Sequence, residues 1–379
     1  MNAITEIYDG NDLGCHYTQK ECNFKIWAPT AERVLLALYH DAGTYDQQGE
    51  VKEHGGGLEI VMKRGHCGVW FLNFSGDLAG QYYMYRIEHV DGSVCYAVDP
   101  YARAVSANGA RTAIVDVEAC SPFEWDKDTK PPLLSTADAV LYELHVRDFS
   151  ISAESGMHYK GKFKAFTETG LRDEYGNALG IDHLAELGVT HVHLLPVFDF
   201  KTVNELKSMG DDSLRSEYNW GYDPQHYNVP EGSYATDATK PGLRILEFKE
   251  MILALHRKGI RVVMDVVYNH TFAVTDGPFD AIVPGYFYRT DSTGRLSNGS
   301  GVGNELATER PMVRKYIMDS VRYWAEEYHI DGFRFDLVGL IDTETISKLT
   351  AQLHQEIDEN LIIYGEPWTG GDTRYGIRR

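Results

Sequence analysis

The chain has 379 residues, a length that indicates two or three domains, and 43% of its residues are hydrophobic, which is enough to build their cores. Its formal charge of -20, from 56 acidic and 36 basic residues, would repel a phosphate backbone and argues against nucleic acid or an anionic membrane as a partner. The sequence opens without a basic and apolar leader and contains no run of about 18 apolar residues, so we expect a cytoplasmic protein.

The five cysteines all lie in the first third of the chain. They are odd in number and lack the C-x-x-C spacing that is typical of zinc sites. They therefore predict neither a disulfide framework nor a metal centre. No other pattern in the sequence indicates a cofactor, and calcium binding is left open.

The first part of the chain, residues 1–120, contains short runs of alternating apolar residues that are broken by glycines. This spacing predicts a small antiparallel β-sandwich. Trp27, Trp70 and Tyr83 have two interpretations, because they could form a platform on which sugar rings stack or could fill the core of the sandwich. The next segment, 121–138, carries three prolines among charged residues and predicts a linker.

In residues 139–379, runs rich in β-branched side chains alternate with helical patterns, which is typical of βαβ units around a parallel sheet. The predicted strands are Val140–Phe149, Val189–Val197, Ile260–Tyr268, Gly332–Leu337 and Leu361–Glu366. The predicted helices are Ile181–Leu187, Leu243–Lys258, Pro311–Tyr328 and Asp342–Asp358. Three long connections, 150–180, 199–242 and 271–310, each follow a strand. In a parallel barrel, such loops assemble the active site.

Two charges are built into the fourth predicted strand, DGFRFDL. Alternate side chains of a strand share a face, so Arg334 and Asp336 point to the same side. Because a buried charge is costly unless it is paired, we expect Arg334 to pair with Asp336 and to keep it ionised near neutral pH. The alternative interpretation is a structural salt bridge at a strand edge.

Two other strand ends carry polar side chains. The motif DVVYNH places Asp265 and Asn269 on one face and His270 at the start of a loop, either as a ligand contact or as an ordinary loop histidine. In YGEPW, a proline follows Glu366 and ends the strand at the mouth of the sheet. Glu366 and Asp336 should then end adjacent parallel strands, which are ~4.8 Å apart. Two carboxyl groups roughly 5 Å apart form the pair that a retaining glycosidase needs.

The second long loop contains YNWGYDP, Tyr218 to Pro224, in which three aromatic residues are spaced by amide, glycine and aspartate. Such a segment offers flat faces for sugar rings and short polar groups for hydroxyls. A tight turn stabilised by aromatic packing is the alternative interpretation.

Several of these motifs, in this order, resemble a known enzyme family. DVVYNH, GFRFDLVG and YGEPW resemble the first three shared regions of the α-amylase superfamily, glycoside hydrolase family 13. YNWGYDP resembles the hallmark of type I pullulanases, and FKIWAPTAERVLLALY resembles the starch-binding β-sandwich module that precedes such barrels. The resemblance implies a (β/α)8 TIM barrel after the sandwich, and hydrolysis of α-1,6 branch linkages in pullulan, glycogen or limit dextrins with retention of configuration.

The resemblance also implies roles for individual residues. Asp336 becomes the nucleophile, and Glu366 becomes the general acid and then the general base. Asp265 and Asn269 become supports for this pair. The substrate-binding residues implied by the resemblance are Tyr222, which would stack on a sugar ring, His270, Arg334, Trp220 and Trp368.

One departure from the family is visible in the sequence. Only about five of the eight barrel strands are predicted before Arg379, and no histidine-aspartate pair supplies the family's third catalytic carboxylate. We therefore expect a truncated or frameshifted form with impaired activity. The expected partner is an α-glucan polysaccharide or oligosaccharide. Two alternatives remain open: a relative of glycogen-branching enzyme or isoamylase, against which YNWGYDP argues, and a non-catalytic glucan-binding remnant.

Overall fold

The computed structural model describes residues 4–209 and 217–373. Its N-terminal strands are β1 (Gly14–Tyr17), β2 (Glu21–Trp27), β3 (Ala31–Tyr39), β4 (Leu58–Val61), β5 (Lys63–Arg64), β6 (Val69–Ser75), β7 (Tyr82–His89), β8 (Val94–Ala97) and β9 (Thr112–Ala113). They form two antiparallel sheets in the orders β1-β2-β6-β5 and β4-β3-β7-β8, and β9 adds to β7. Phe24 on β2 packs edge-on against Tyr83 on β7 with ring centroids 5.0 Å apart, so the two sheets lie face to face. The predicted sandwich is confirmed.

The tryptophans that could have formed a sugar platform lie inside the protein. Trp27, Trp70 and Tyr83 are each at most 6% exposed. The Trp70 indole N–H donates to the Ala28 carbonyl at 3.1 Å, and the Trp27 ring packs edge-on against Tyr286 of the third long loop at 4.9 Å. The platform interpretation is therefore wrong for these three residues. Their large apolar area is used in the core and in the contact between the sandwich and the second half of the chain.

The described part of the second half contains seven strands: β10 (Leu141–Leu144), β11 (His191–Leu194), β12 (Phe198–Phe200), β13 (Pro224–Pro230), β14 (Arg261–Val266), β15 (Gly332–Phe335) and β16 (Ile362–Gly365). Its helices are α1 (Val146–Ser150), α2 (Gly180–Leu187), α3 (Pro241–Arg257), α4 (Pro278–Ile282), α5 (Pro311–Glu327) and α6 (Thr343–Glu356). Five strands pair in parallel in the order β10-β11-β14-β15-β16, while β12 and β13 form a separate antiparallel pair. These five are the predicted strands, each somewhat shorter than predicted.

One predicted strand is wrong in its second half. The prediction extended the first parallel strand from Val140 to Phe149, but the strand ends at Leu144 and helix α1 follows. The side chain of His145 accepts a hydrogen bond from the backbone N–H of Asp148, which caps the helix. This local bond replaces the pairing that a longer strand would need.

The four predicted helices correspond to α2, α3, α5 and α6, with ends within two residues of the prediction. Helix α5 begins at Pro311, where a missing backbone N–H costs nothing, and buries one apolar stripe. The stripe consists of Val313, Ile317, Val321 and Trp324, all of which are fully buried. No helix in the described residues is long and apolar enough to cross a lipid bilayer.

The predicted linker is docked on the amino-terminal edge of the parallel sheet. Asp128 accepts from His256 at the end of α3, and the Lys130 ammonium donates to the Ile330 carbonyl at 2.8 Å. The guanidinium of Arg261, the first residue of β14, donates to the Pro131 carbonyl at 2.7 Å. The segment between the two halves is thus held by buried polar contacts, while the domain limits at residues 120 and 138 stay a prediction.

Candidate active site

The register of the parallel sheet places three polar residues side by side on one face. Asp265 on β14 pairs with Arg334 on β15, and Arg334 pairs with Tyr364 on β16. Asp336 and Glu366 each follow the end of their strand by one residue. Their backbone N–H groups still donate to the neighbouring strand, at 3.0 and 3.1 Å. The two carboxyl groups therefore leave adjacent parallel strands at the carboxyl end of the sheet, as predicted.

The guanidinium of Arg334 connects three carboxylates. Its Nη1 lies 2.9 Å from both oxygens of Asp265 and 3.1 Å from Oδ1 of Asp336. Its Nη2 forms an ion pair with Glu366. The predicted pairing of Arg334 with Asp336 is confirmed, and the same cation also reaches the second carboxyl group of the proposed pair.

Asp336 accepts two hydrogen bonds from the side chain of Asn269. The amide nitrogen of Asn269 donates to Oδ2 of Asp336 at 2.8 Å and to its backbone carbonyl at 2.9 Å. Burial raises the pKa of Asp336 to about 6; Asp265 and Glu366 add to this rise, whereas Asn269 and Arg334 oppose it. With a pKa near 6, most Asp336 side chains are ionised at neutral pH. The pKa would be lower if the pairing with Arg334 acted without burial.

Tyr222 of the YNWGYDP segment is fixed at both its side chain and its backbone. Its hydroxyl donates to Oδ2 of Asp265 at 2.7 Å, and its carbonyl lies 3.0 Å from Nε2 of His270. The other ring nitrogen of His270 lies 2.6 Å from the side-chain oxygen of Asn269. Burial lowers the pKa of His270 to about 4, so its ring is neutral. A neutral ring donates from one nitrogen only, so His270 hydrogen-bonds one of these two oxygens while both of its nitrogens face protein groups. The contact of His270 to a ligand hydroxyl stays a prediction.

Two tryptophans at the site expose much of their ring surface. Trp220 is 59% exposed and Trp368 is 54% exposed. The indole N–H of Trp220 donates to the hydroxyl of Tyr218, and the backbone N–H of Trp368 donates to the Glu366 carbonyl at 2.9 Å. The ring edge of Trp220 and the backbone of Trp368 are therefore held, while both rings are more than half exposed, which suits stacking on a sugar.

The backbone directly after Asp336 is strained. Leu337 has φ +41° and ψ +49°, a left-handed conformation that residues other than glycine rarely adopt. Such strain costs on the order of 1–3 kcal/mol and persists where the surrounding structure imposes it. The sharp turn lets the chain leave β15 immediately beyond the Asp336 side chain.

Sequence reasoning missed two residues that face this cluster. His193 on β11 places Nε2 3.5 Å from Asp265 and Nδ1 3.4 Å from Glu143. Tyr364 packs edge-on against the His193 ring, with centroids 5.9 Å apart. The signal was present, since two histidines at alternate positions interrupt the apolar pattern of β11.

One group of acidic side chains in the described residues is close enough together to hold a cation. Oxygens of Asp199, Glu205 and Glu231 lie within 4.8 Å of one another. Arg244, fully buried, lies 3.2 Å from Asp199 and 2.9 Å from Glu205. Burial raises the pKa of Glu231 to about 8. Burial and the neighbouring carboxyl groups also raise the pKa of Asp199. With protons retained on Glu231 and Asp199, the Arg244 guanidinium balances the remaining carboxylate of Glu205, so the group is a structural ion cluster in this fold.

Comparison with known proteins defines the class. Residues 12–102 match carbohydrate-binding module 48 (isoamylase N-terminal domain), and residues 159–280 and 296–366 match the alpha amylase catalytic domain. The chain thus joins a sandwich of the carbohydrate-binding module 48 type to a parallel sheet that matches the alpha amylase catalytic domain. It belongs to the α-amylase family.

Within that family, the chain is similar in sequence and structure to pullulanases. It is 41% identical to the pullulanase of Bacillus subtilis (strain 168), over 96% of this chain and 47% of the relative. The pullulanase of Bacillus acidopullulyticus superposes with a TM-score of 0.90 at 46% identity, over 100% of this chain and 44% of that one. The apo pullulanase of Paenibacillus barengoltzii gives a TM-score of 0.90 at 46% identity, over 97% of this chain and 54% of that one. The chain spans about half the length of these relatives.

Proposed function

We propose that this chain carries the nucleophile and the general acid of a debranching glycoside hydrolase that cleaves α-1,6-glucosidic linkages in pullulan, glycogen or limit dextrins. The observation that supports this most directly is the single guanidinium of Arg334, which contacts both Asp336 and Glu366 at the ends of adjacent parallel strands. Such a pair of closely spaced carboxyl groups fits a double displacement with retention of configuration.

In the proposed reaction, the Asp336 carboxylate attacks the anomeric carbon and forms a glucosyl-enzyme while Glu366 protonates the departing glycosidic oxygen. Glu366 then takes a proton from the water that releases the sugar. Arg334 and Asn269 each hold one oxygen of Asp336, which fixes the direction of attack. The partial burial that raises the pKa of Asp336 also makes its carboxylate a better nucleophile than a fully hydrated one.

We assign substrate binding to the aromatic side chains beside this pair. Tyr222, anchored on Asp265, would stack on the sugar at the cleaved bond, and the open faces of Trp220 and Trp368 would hold neighbouring sugars. The similarity to pullulanases supports an α-glucan as the ligand. The Paenibacillus barengoltzii pullulanase has been solved in complex with maltohexaose and α-cyclodextrin, and the Anoxybacillus sp. LM18-11 pullulanase with maltotriose.

The proposal can be tested by trapping the covalent intermediate. The chain is incubated with a fluorinated α-glucosyl fluoride, which reacts with the nucleophile but deglycosylates slowly, and the labelled peptide is located by mass spectrometry. A label on Asp336, absent in Asp336→Asn and reduced in Trp220→Ala, is expected. A label on another carboxyl group would reject the assignment. Binding of maltotriose without any label or turnover of pullulan would favour the glucan-binding alternative.

A further inference from the structure

His145, at the carboxyl end of β10, contacts the YNWGYDP segment and has no role in the site described so far. His145 is 7% exposed and directly follows β10. Its Nδ1 accepts the hydrogen bond from the backbone N–H of Asp148, at 3.3 Å. Nε2 must therefore carry the proton in the neutral ring, and it lies 2.8 Å from the carbonyl of Asn219. This geometry defines one tautomer, Nε2–H, donating to Asn219.

The hydrogen bond acts on the backbone of the aromatic segment itself. The Asn219 carbonyl belongs to the peptide group that joins Asn219 to Trp220, so His145 fixes the orientation of that peptide plane. The hydroxyl oxygen of Tyr234 lies 3.0 Å from the same Nε2 and helps to hold the ring. The Asn219 side chain is bound separately, because its amide nitrogen donates to Asp223 at 2.7 Å.

A second line of contacts runs from the same strand end to the Trp220 indole. The ring of His145 packs on Tyr218 with centroids 5.3 Å apart, and the Arg147 guanidinium lies 5.7 Å from the centre of the Tyr218 ring. The Tyr218 hydroxyl in turn accepts the hydrogen bond from the Trp220 indole. Although Trp220 is largely exposed, both its backbone and its ring edge are therefore anchored on β10 and α1.

We propose that His145 is a positioning residue for the aromatic platform formed by Trp220 and Tyr222, and that this platform recognises the α-glucan chain only while the His145 ring is neutral. The inference rests on the proposed function for the identity of the ligand. Protonation would add a donor at Nδ1 that faces the Asp148 N–H, which breaks the cap of α1 and tilts the ring away from Asn219.

The surroundings of His145 favour the neutral ring. Burial lowers the pKa of His145, while the Asn219 carbonyl and the Asp148 carboxylate oppose this change and Arg147 reinforces it. The charged and titratable groups around the ring are Asp148 and Arg147 on α1, Tyr218 and Tyr234 in the second long connection, and Lys160, Lys162 and Glu217, which line the same small cavity.

Two variants separate the hydrogen bond from simple packing. His145→Gln retains an N–H donor at a similar distance, whereas His145→Leu retains volume without a donor. His183→Gln on the exposed side of α2 serves as the matched control. The first readout is acrylamide quenching of Trp220 fluorescence, isolated by subtracting the same measurement on a Trp220→Phe background, and it needs no ligand.

Quenching of Trp220 should rise in His145→Leu and stay near the wild-type value in His145→Gln and in the control. Lowering the pH from 7 to 4, a range that extends well below the ordinary histidine value because burial lowers the pKa of His145, should raise quenching in the wild type and leave His145→Gln unchanged. Equal quenching in wild type and His145→Leu, or equal pH dependence in wild type and His145→Gln, would overturn the proposal. If His145→Leu does not fold, as judged by circular dichroism, the pH dependence of quenching in wild type and His145→Gln tests the proposal by itself.

The second readout is titration calorimetry with maltotriose. The dissociation constant of maltotriose should rise about tenfold in His145→Leu and less than about threefold in His145→Gln, the size expected for one lost hydrogen bond at a partly buried backbone group. An unchanged affinity in His145→Leu contradicts the positioning role. If the wild-type chain binds no maltotriose, the proposed function fails, and the fluorescence result still decides whether His145 positions Trp220.

Discussion

The side-chain amide of Asn269 donates two hydrogen bonds to Asp336, one to the carboxylate and one to the backbone carbonyl. The two residues follow the ends of β14 and β15, which are neighbouring strands of the parallel sheet. One amide thus fixes the position of the proposed nucleophile and stabilises its ionised form.

Replacing Asn269 by alanine should therefore change the pH dependence of the nucleophile. Without this donor, the pKa of Asp336 should rise from about 6 by about one unit. Because the ionised form reacts, the acid limb of the covalent labelling rate should move to higher pH by the same amount. The rate is measured between pH 4.5 and 8.5, with Asn11→Ala, at an exposed position, as control. An unmoved acid limb would show that Asp336 does not limit the reaction at low pH.

The contact between the linker and the parallel sheet should make stability depend on pH. Burial of His256 opposes its positive charge, but its bonds to Asp128 at 2.7 Å and Asp331 at 2.8 Å prevail and raise its pKa to about 9. A raised pKa in the folded state means that the stabilisation is complete below the unfolded value near 6.5 and is lost as the pH rises through about 9.

His256→Gln should lower the free energy of unfolding by on the order of 3 kcal/mol at pH 6 and by clearly less at pH 9.5. Urea unfolding at the two pH values measures the difference. His183→Gln should change stability at neither pH, since that side chain is exposed. An equal loss for His256→Gln at both pH values would mean that packing rather than charge is responsible.

Replacing a buried and an exposed tryptophan should have different effects on stability and on glucan binding. Trp27 is buried between the sandwich and Tyr286, whereas Trp368 is exposed beside Glu366. Trp27→Ala should lower the free energy of unfolding by about 3–5 kcal/mol, and Trp368→Ala by less than about 1 kcal/mol. Maltotriose affinity should fall only for Trp368→Ala when measured on folded protein. A stable Trp27→Ala variant with lost glucan binding would restore the platform interpretation.

Gly339 should tolerate no side chain, because a Cβ there would lie 2.6 Å from the Trp368 carbonyl. Gly339→Ala must move the Glu366–Trp368 turn and should cost about 1–3 kcal/mol of stability together with most of the labelling rate. Gly55→Ala is the matched control, since its added Cβ would meet no atom within 4 Å. Thermal unfolding and the trapping assay report the two effects. Full labelling by Gly339→Ala would show that this turn can shift without harm to the site.

The sequence determined the order and identity of the main elements. Two-residue periodicity and a charge pair inside an apolar run were enough to place Arg334 and Asp336 on one face of a strand. Spacing by one βαβ unit placed Glu366 on the neighbouring strand, and the pairing of Phe335 with Gly365 agrees. These properties are local or follow from the regular geometry of parallel sheets, so neighbouring residues in the chain contain the information.

Tertiary structure alone decided the properties that depend on residues distant in sequence. The pKa of Asp336 reflects burial together with Asp265 and Asn269, from β14 and the residues that follow it, and Glu366, which follows β16. The burial of Trp27 depends on a loop more than 250 residues later. His145 became a helix cap rather than a strand residue because its ring meets Asp148 and Asn219 at once. Periodicity shows which face of an element a side chain occupies, but only the packed fold fixes its neighbours, and the neighbours determine its charge, exposure and role.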